Sequence, residues 1–276
     1  MTTDSSAGQT AATGPLAGRN AVIYGAGGSI GSAVARTFAR DGARVFLTGR
    51  TRQSLDRVAS EITAAGGRAE VAVVDALDEK AVEEHARQVV GRAGSLDVSF
   101  NLIGRGDVQG VALTDLPTAD FLRPITNGIT SGFITARTAA RHMAEQGSGV
   151  ILALNSGSGR AGSPMMGGTG PADATLDVLV RNLAMEMGPR GVRVVGIWTA
   201  GLPETLSREK LNAVNDQLQL DEAGFEALLG QLAAMRMLRR SPKLSEIAET
   251  AAFLASDRAG AITATFVNVT GGIFAD

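Results

Sequence analysis

Tyr24-Gly25-Ala26-Gly27-Gly28-Ser29-Ile30-Gly31 is the stretch on which the reading of this chain turns. Residues 20–24, Asn-Ala-Val-Ile-Tyr, end in a short apolar run suited to a buried strand. The glycines follow at once. From Ser32 the pattern becomes helical, with Val34, Ala35, Phe38 and Ala39 on one face. Strand, glycine turn and helix together are the context in which a glycine cluster carries meaning. Glycines let the backbone turn tightly and approach a pyrophosphate, and the new helix offers that anion free N–H groups and its positive dipole end. The bland alternative is an ordinary strand–helix turn.

Outward from this stretch, strand and helix patterns alternate. Strands are expected over 44–48, 71–74, 98–102, 150–154, 192–198 and 265–269. Helices are expected over 32–40, 54–65, 79–90 (capped by Asp78), 119–146 (broken near Pro124), 171–187 and 245–255. This alternation predicts a Rossmann-like, doubly wound α/β domain: a mainly seven-stranded parallel sheet in a three-layer αβα sandwich, with ligands at the carboxyl ends of the strands. Residues 1–15 are Thr/Ser/Ala/Gly-rich and read as a disordered tail before a single domain over 16–276. Residues 202–240 break the rhythm, with weakly amphipathic stretches over 206–220 and 225–237. A long insert at the strand ends reads as a substrate lid, or else as plain packing surface.

Composition narrows the function classes. The apolar fraction of 44% suffices for a full core, and the net charge is −2 with mixed signs, so no nucleic-acid or anionic-membrane partner is expected. The chain has no cysteine, which excludes disulfides and cysteine nucleophiles, and only His85 and His142 could supply imidazole, so no metal site is expected. His85 reads as solvated surface and His142 as structural. No apolar run approaches a membrane span and no secretory pattern opens the chain, so a cytoplasmic protein is expected.

In motif order the chain resembles the short-chain dehydrogenase/reductase family from about Leu16 onward. Residues 25–31 are similar to its glycine motif, with Ser29 in place of the middle glycine. Asp75 is placed like the acid after the third strand that contacts adenine. Asp97-Val98-Ser99-Phe100-Asn101-Leu102-Ile103-Gly104 is similar to the family's Asp-x-x-x-Asn-Asn-Ala-Gly run. Asn127 falls where the family keeps a helix asparagine that holds water. Residues 183–186, 191–194, 253–257 and Thr270-Gly271-Gly272 match later segments. The resemblance implies cofactor contacts at Gly25, Ser29, Ile30 and Gly31, at Asp75 and Ala76, and at Asn101, Gly104 and Leu202. It also implies a homodimer or homotetramer acting on a small molecule.

The catalytic set of that family does not carry over. It uses a serine and a Tyr-x-x-x-Lys pair, the tyrosine as acid or base and the lysine to lower its pKa. Ser156 fits the serine, either as a hydrogen-bond donor to a substrate oxygen or as a strand end. The tyrosine and lysine positions fall on Thr169 and Asp173. The only tyrosine is Tyr24, and no lysine lies between Lys80 and Lys210. The enoyl-reductase branch, which 187–194 and 199–201 resemble, would place its tyrosine on Met166. A threonine hydroxyl is too weak an acid to protonate an alkoxide unaided. Asp173 reads as a first-turn carboxylate of a helix opening with Pro171, or as a base or a substrate-cation contact. Arg160 reads as a substrate-anion contact or a loop ion pair, and Asn127 as a water ligand or helix structure.

At the end of the second strand, where an NAD-preferring protein carries an acid, this chain reads Gly49-Arg50-Thr51-Arg52. Guanidinium pairs well with a phosphate, so NADP(H) is the expected cofactor, held by Arg50 and Thr51, with a surface arginine pair as the alternative. Two function classes follow. The preferred one is an NADP(H)-dependent oxidoreductase acting on a small carbonyl, alcohol or activated alkene with an altered catalytic set of Ser156, Asn127, Thr169 and Asp173. The other is a non-redox or inactive protein of the same fold that binds the dinucleotide as a sensor or partner subunit, or for another reaction.

Overall fold

Short runs rich in Val, Ile and Leu form β1 (Asn20–Tyr24), β2 (Arg44–Gly49), β3 (Arg68–Val73), β4 (Val98–Asn101), β5 (Gly149–Asn155), β6 (Val192–Trp198) and β7 (Phe266–Asn268). They pair in parallel in the order β3-β2-β1-β4-β5-β6-β7. The computed structural model describes residues 13–209, 211 and 220–275. Side chains alternate across each strand. Ala21 and Ile23 pack with Val34, Phe38, Leu55 and Ala251 on one face, while Val22 and Tyr24 pack with Val82, Ile134, Met143 and Val180 on the other. The first layer holds α1 (Ser29–Arg40), α2 (Arg52–Ala64) and α7 (Leu244–Ala255). The second holds α3 (Glu79–Ala93), α4 (Thr118–Gln146) and α5 (Thr169–Met187). Strands covered on both faces explain why several are almost wholly apolar. No described helix is long and apolar enough to cross a membrane.

After β3 the chain crosses to the far side of β1 to form β4. The loops leaving β1 and β4 therefore diverge, and a crevice opens between them at the carboxyl ends.

Several boundaries differ from the sequence reading. Helix α4 runs unbroken through Pro124. Proline removes one hydrogen bond, but the ring lies buried and the helix is held by its packing. Helix α1 begins at Ser29, so Ser29, Ile30 and Gly31 form its first turn. Helix α5 begins at Thr169, two residues before Pro171, which still falls in the first turn where its missing N–H costs little. Asp78 caps α3 as read, accepting from Ala81 N–H at 3.1 Å. His85 is not solvated surface: it is 4% exposed on the inner side of α3, and its Nδ1 has no hydrogen-bond partner. Burial, helped by Arg92, lowers its pKa to about 4.

Residues 1–12 of the tail, and residues 210 and 212–219 of the 206–220 stretch, lie outside the described residues. The second amphipathic stretch forms α6 (Glu222–Ala234), which Asp221 caps by accepting from Gly224 N–H at 2.8 Å.

Candidate active site at the carboxyl ends of the strands

The glycine stretch is built for close backbone approach. Gly25 has φ of +77°, and a Cβ there would lie 2.6 Å from the Leu102 carbonyl oxygen. A Cβ on Gly31 would lie 2.3 Å from the Gly25 carbonyl oxygen. Helix α1 starts behind Gly28 with no side-chain cap and no acid in its first turn. The N–H groups of that turn and its dipole end are thus left for an anion.

The other expected cofactor contacts surround this cradle. Arg50 and Thr51 are exposed at the exit of β2. Arg52 pairs within its own helix, donating to Asp56 at 2.9 Å. Asp75, after β3, accepts from Leu77 N–H at 3.0 Å, and Ala76 is buried beside it. Asn101 ends β4, donating to Ser131 Oγ at 3.1 Å and accepting from Ile103 N–H at 3.2 Å, with Gly104 following in the loop. Leu202 is buried after β6. The donor-rich turn and the glycine cradle fit the diphosphate of a dinucleotide.

The structure brings Ser156, Asn127, Thr169 and Asp173 into one network, centred on a residue that the sequence reading missed. Arg105, in the loop after β4, donates from Nη1 to Asp173 Oδ1 at 2.7 Å. Its Nη2 and Nε donate to the two oxygens of Asp107 at 3.0 and 3.3 Å. Asn127 Nδ2 donates to the Arg105 carbonyl at 3.1 Å, and Gly128 leaves room for the side chain, since a Cβ there would lie 2.9 Å from Arg105 Cδ. Burial works against the guanidinium charge, but Asp107 and Asp173 outweigh it, and the Arg105 pKa rises. It stays ionised.

Asp173 is fully buried and is not merely a first-turn carboxylate. Its Oδ2 accepts from the Ser156 hydroxyl at 2.6 Å, Ser156 N–H at 3.1 Å and Ser158 N–H at 3.0 Å. Both oxygens of Asp173 are thus taken up by protein donors. Ser158 Oγ lies 2.7 Å from Ser156 Oγ. Because the Ser156 proton points to Asp173, Ser158 is the donor in that pair. The Thr169 hydroxyl donates to Asp107 at 2.9 Å and accepts from Gln109 Nε2 at 3.2 Å, so it does not cap α5. Thus the hydroxyl protons of Ser156, Ser158 and Thr169 are all committed to protein oxygens.

Around this core, Asn155 donates to buried Asp177 at 2.8 Å, and burial raises the Asp177 pKa. The Arg160 guanidinium lies over the Trp198 ring, 5.5 Å from the centroid. Tyr24 is buried at the end of β1, and burial pushes its hydroxyl pKa far above the usual value. A cavity of about 40 Å³ adjoins the network, lined in part by Asn101, Arg105, Ser131 and Thr135. No group of His, Cys, Asp or Glu among the described residues could hold a metal.

The 202–240 segment is tied to the strand ends by a second missed residue. Arg236 is 1% exposed and donates to the carbonyls of Thr270 at 2.9 Å, Ala200 at 2.7 Å and Gly201 at 3.2 Å. An arginine in an apolar stretch resembles an exposed one in sequence; only the folded chain reveals the carbonyls that surround it.

A parallel doubly wound sheet with a glycine cradle at its switch point defines a dinucleotide-binding α/β protein. A family model described as enoyl-(acyl carrier protein) reductase matches residues 25–273. An uncharacterized oxidoreductase of Bacillus subtilis (strain 168), YxbG, is 32% identical over 267 residues, covering 95% of this chain and 93% of that protein. A 7α-hydroxysteroid dehydrogenase structure complexed with NADH and 7-oxo glycochenodeoxycholic acid superposes with a TM-score of 0.79 at 28% identity, covering 93% of this chain and 94% of that one. A variant of actinorhodin polyketide ketoreductase with NADPH gives 0.82 at 25% identity, covering 92% and 97%. The chain belongs to the short-chain dehydrogenase/reductase family.

Proposed function

We propose that this protein is an NADP(H)-dependent oxidoreductase acting on a small carbonyl, alcohol or activated alkene, with the usual tyrosine and lysine replaced by Thr169 and Asp173. The observation that carries the cofactor assignment is the exit of β2, where Arg50 stands and no acid does. Arginine can pair with a 2′-phosphate, whereas an acid would repel it. Related structures hold NADH in one case and NADPH in another, so family membership alone does not choose.

The cofactor, when bound, supplies the hydride. The protein's own residues bind and orient. The α1 N-terminus and the cradle at Gly25 and Gly31 take the diphosphate, and Asp75 and Asn101 flank it. Arg105 brings a guanidinium, held by Asp107 and Asp173, against the residue read at the family's lysine position. With the Ser156 and Thr169 protons directed at carboxylates, water in the adjoining cavity is the proton source for a carbonyl substrate. That cavity is large enough for a few waters. The same committed hydroxyls favour a second reading, a dinucleotide-binding protein without redox turnover, used as a sensor or partner subunit.

Calorimetric titration tests the assignment. NADPH should bind more tightly than NADH, and Arg50→Asp should reverse the order. Equal affinities in the wild type would remove it. In this reading the described residues of the 202–240 segment act as a lid on this cleft, with Arg236 fixing them to the strand ends.

A further inference from the structure

We propose that the cleft selects a positively charged C=N substrate, an iminium or in reverse its amine, over a neutral ketone or alcohol. This rests on the dinucleotide-dependent reading above. Asp107 and Asp173 face one guanidinium, that of Arg105, which leaves the network with a net charge of −1. Asp177, buried beside Asn155, adds negative charge whenever it ionises. The other nearby cations do not reverse this sign. Arg160 and Arg181, the latter acting on Asp177, are exposed to solvent, Arg123 is paired with Asp120 at 2.5 Å, and buried Arg236 is turned to the backbone carbonyls of Thr270 and Ala200. Exposed charges are screened within a Debye length, whereas buried ones are screened much less.

Reducing a ketone builds an alkoxide, which needs a donor and a positive field. Here the hydroxyl protons of Ser156, Ser158 and Thr169 are spent on Asp173, Ser156 and Asp107, and Arg105 stays ionised. Reducing an iminium needs neither. The substrate carbon gains a hydride from a reduced nicotinamide, forming one C–H bond. The C=N π pair becomes the lone pair of a neutral amine nitrogen, the nicotinamide is oxidised, and no further proton is taken up. The negative network holds the cation beforehand, with Asp107, whose side chain is 23% exposed, as its accessible carboxylate.

The test pairs charged and neutral ligands of one shape. By calorimetry on the wild type, pyrrolidinium should bind about tenfold or more tightly than cyclopentanol, the scale set by one carboxylate at short range in a partly screened site. With NADPH, N-methylpyrrolinium should be reduced at least about tenfold faster than cyclopentanone, since a missing acid costs ~10²–10⁴ on a carbonyl. Asp107→Asn, which keeps the shape and removes the charge, should abolish most of the binding preference. Equal binding of pyrrolidinium and cyclopentanol, or faster turnover of cyclopentanone, overturns the proposal. If NADPH binds but no cation preference appears, this inference falls and the proposed function stands. If pyrrolidinium is preferred but NADPH does not bind, the charge selectivity stands and the oxidoreductase reading falls.

Discussion

At the scale of single residues, the site rests on one ion pair that joins positions far apart in sequence. Under the proposed function Asp173 stands where relatives of the family carry a cation, and that reading can be made from the sequence alone. Its partner is not legible. Arg105 lies 68 residues away, in a loop whose resemblance to the family stops at Gly104. Only the folded chain brings the two within 2.7 Å. Removing one partner of a buried pair strands the other charge. Arg105→Ala should therefore lower stability by about 3–5 kcal/mol, and Arg105→Lys by less, because an ammonium keeps the charge but cannot bridge both carboxylates as the planar fork does. Urea unfolding monitored by circular dichroism checks this. A loss below about 1 kcal/mol for the alanine variant would show that water already carries Asp173.

At the scale of elements, the sequence resolves strands and helices well wherever a buried face imposes a period. It misses where tertiary contacts set the boundary. Helix α5 starts at Thr169 because that side chain is engaged with Asp107 and Gln109, a partnership without local signal. Helix α4 continues through Pro124 because its packing outlasts one lost hydrogen bond. The glycine loop was legible because its geometry admits so little else. Gly31→Ala tests this element. Its Cβ would collide with the Gly25 carbonyl at 2.3 Å, so the turn must open. The expected outcome is a loss of roughly 1–3 kcal/mol in stability, together with weaker NADPH binding by calorimetry. Gly66→Ala, with nothing within 4 Å of its Cβ and φ of +82°, is the comparison for backbone strain without collision, and should leave NADPH affinity unchanged.

At the scale of the whole molecule, two cores flank one sheet, and a titratable group is sealed in the second. His85 was misread as surface because α3 is amphipathic and a polar residue on such a helix suggests its outer side. Its ring is instead buried and its pKa falls from the ordinary 6.5 to about 4. A folded-state value below the unfolded one means that the unfolded chain binds the extra proton. Stability from this group is full above about pH 6.5 and is lost as pH falls toward 4, by about 3 kcal/mol in all. His85→Leu should lose less stability than the wild type over that window in thermal melts at matched ionic strength. Parallel decline of both proteins would assign acid lability elsewhere.

In the proposed function the active cleft keeps the family's scaffold without its usual proton chemistry. Stopped-flow single turnover, following the absorbance of bound NADPH after mixing with cyclopentanone, tests this most directly. The account predicts that NADPH binds and persists, with oxidation slower by ~10²–10⁴ than in a relative bearing the tyrosine acid. Rapid oxidation of NADPH by that ketone would contradict it, because a proton donor stronger than the water of the cavity would then be at work.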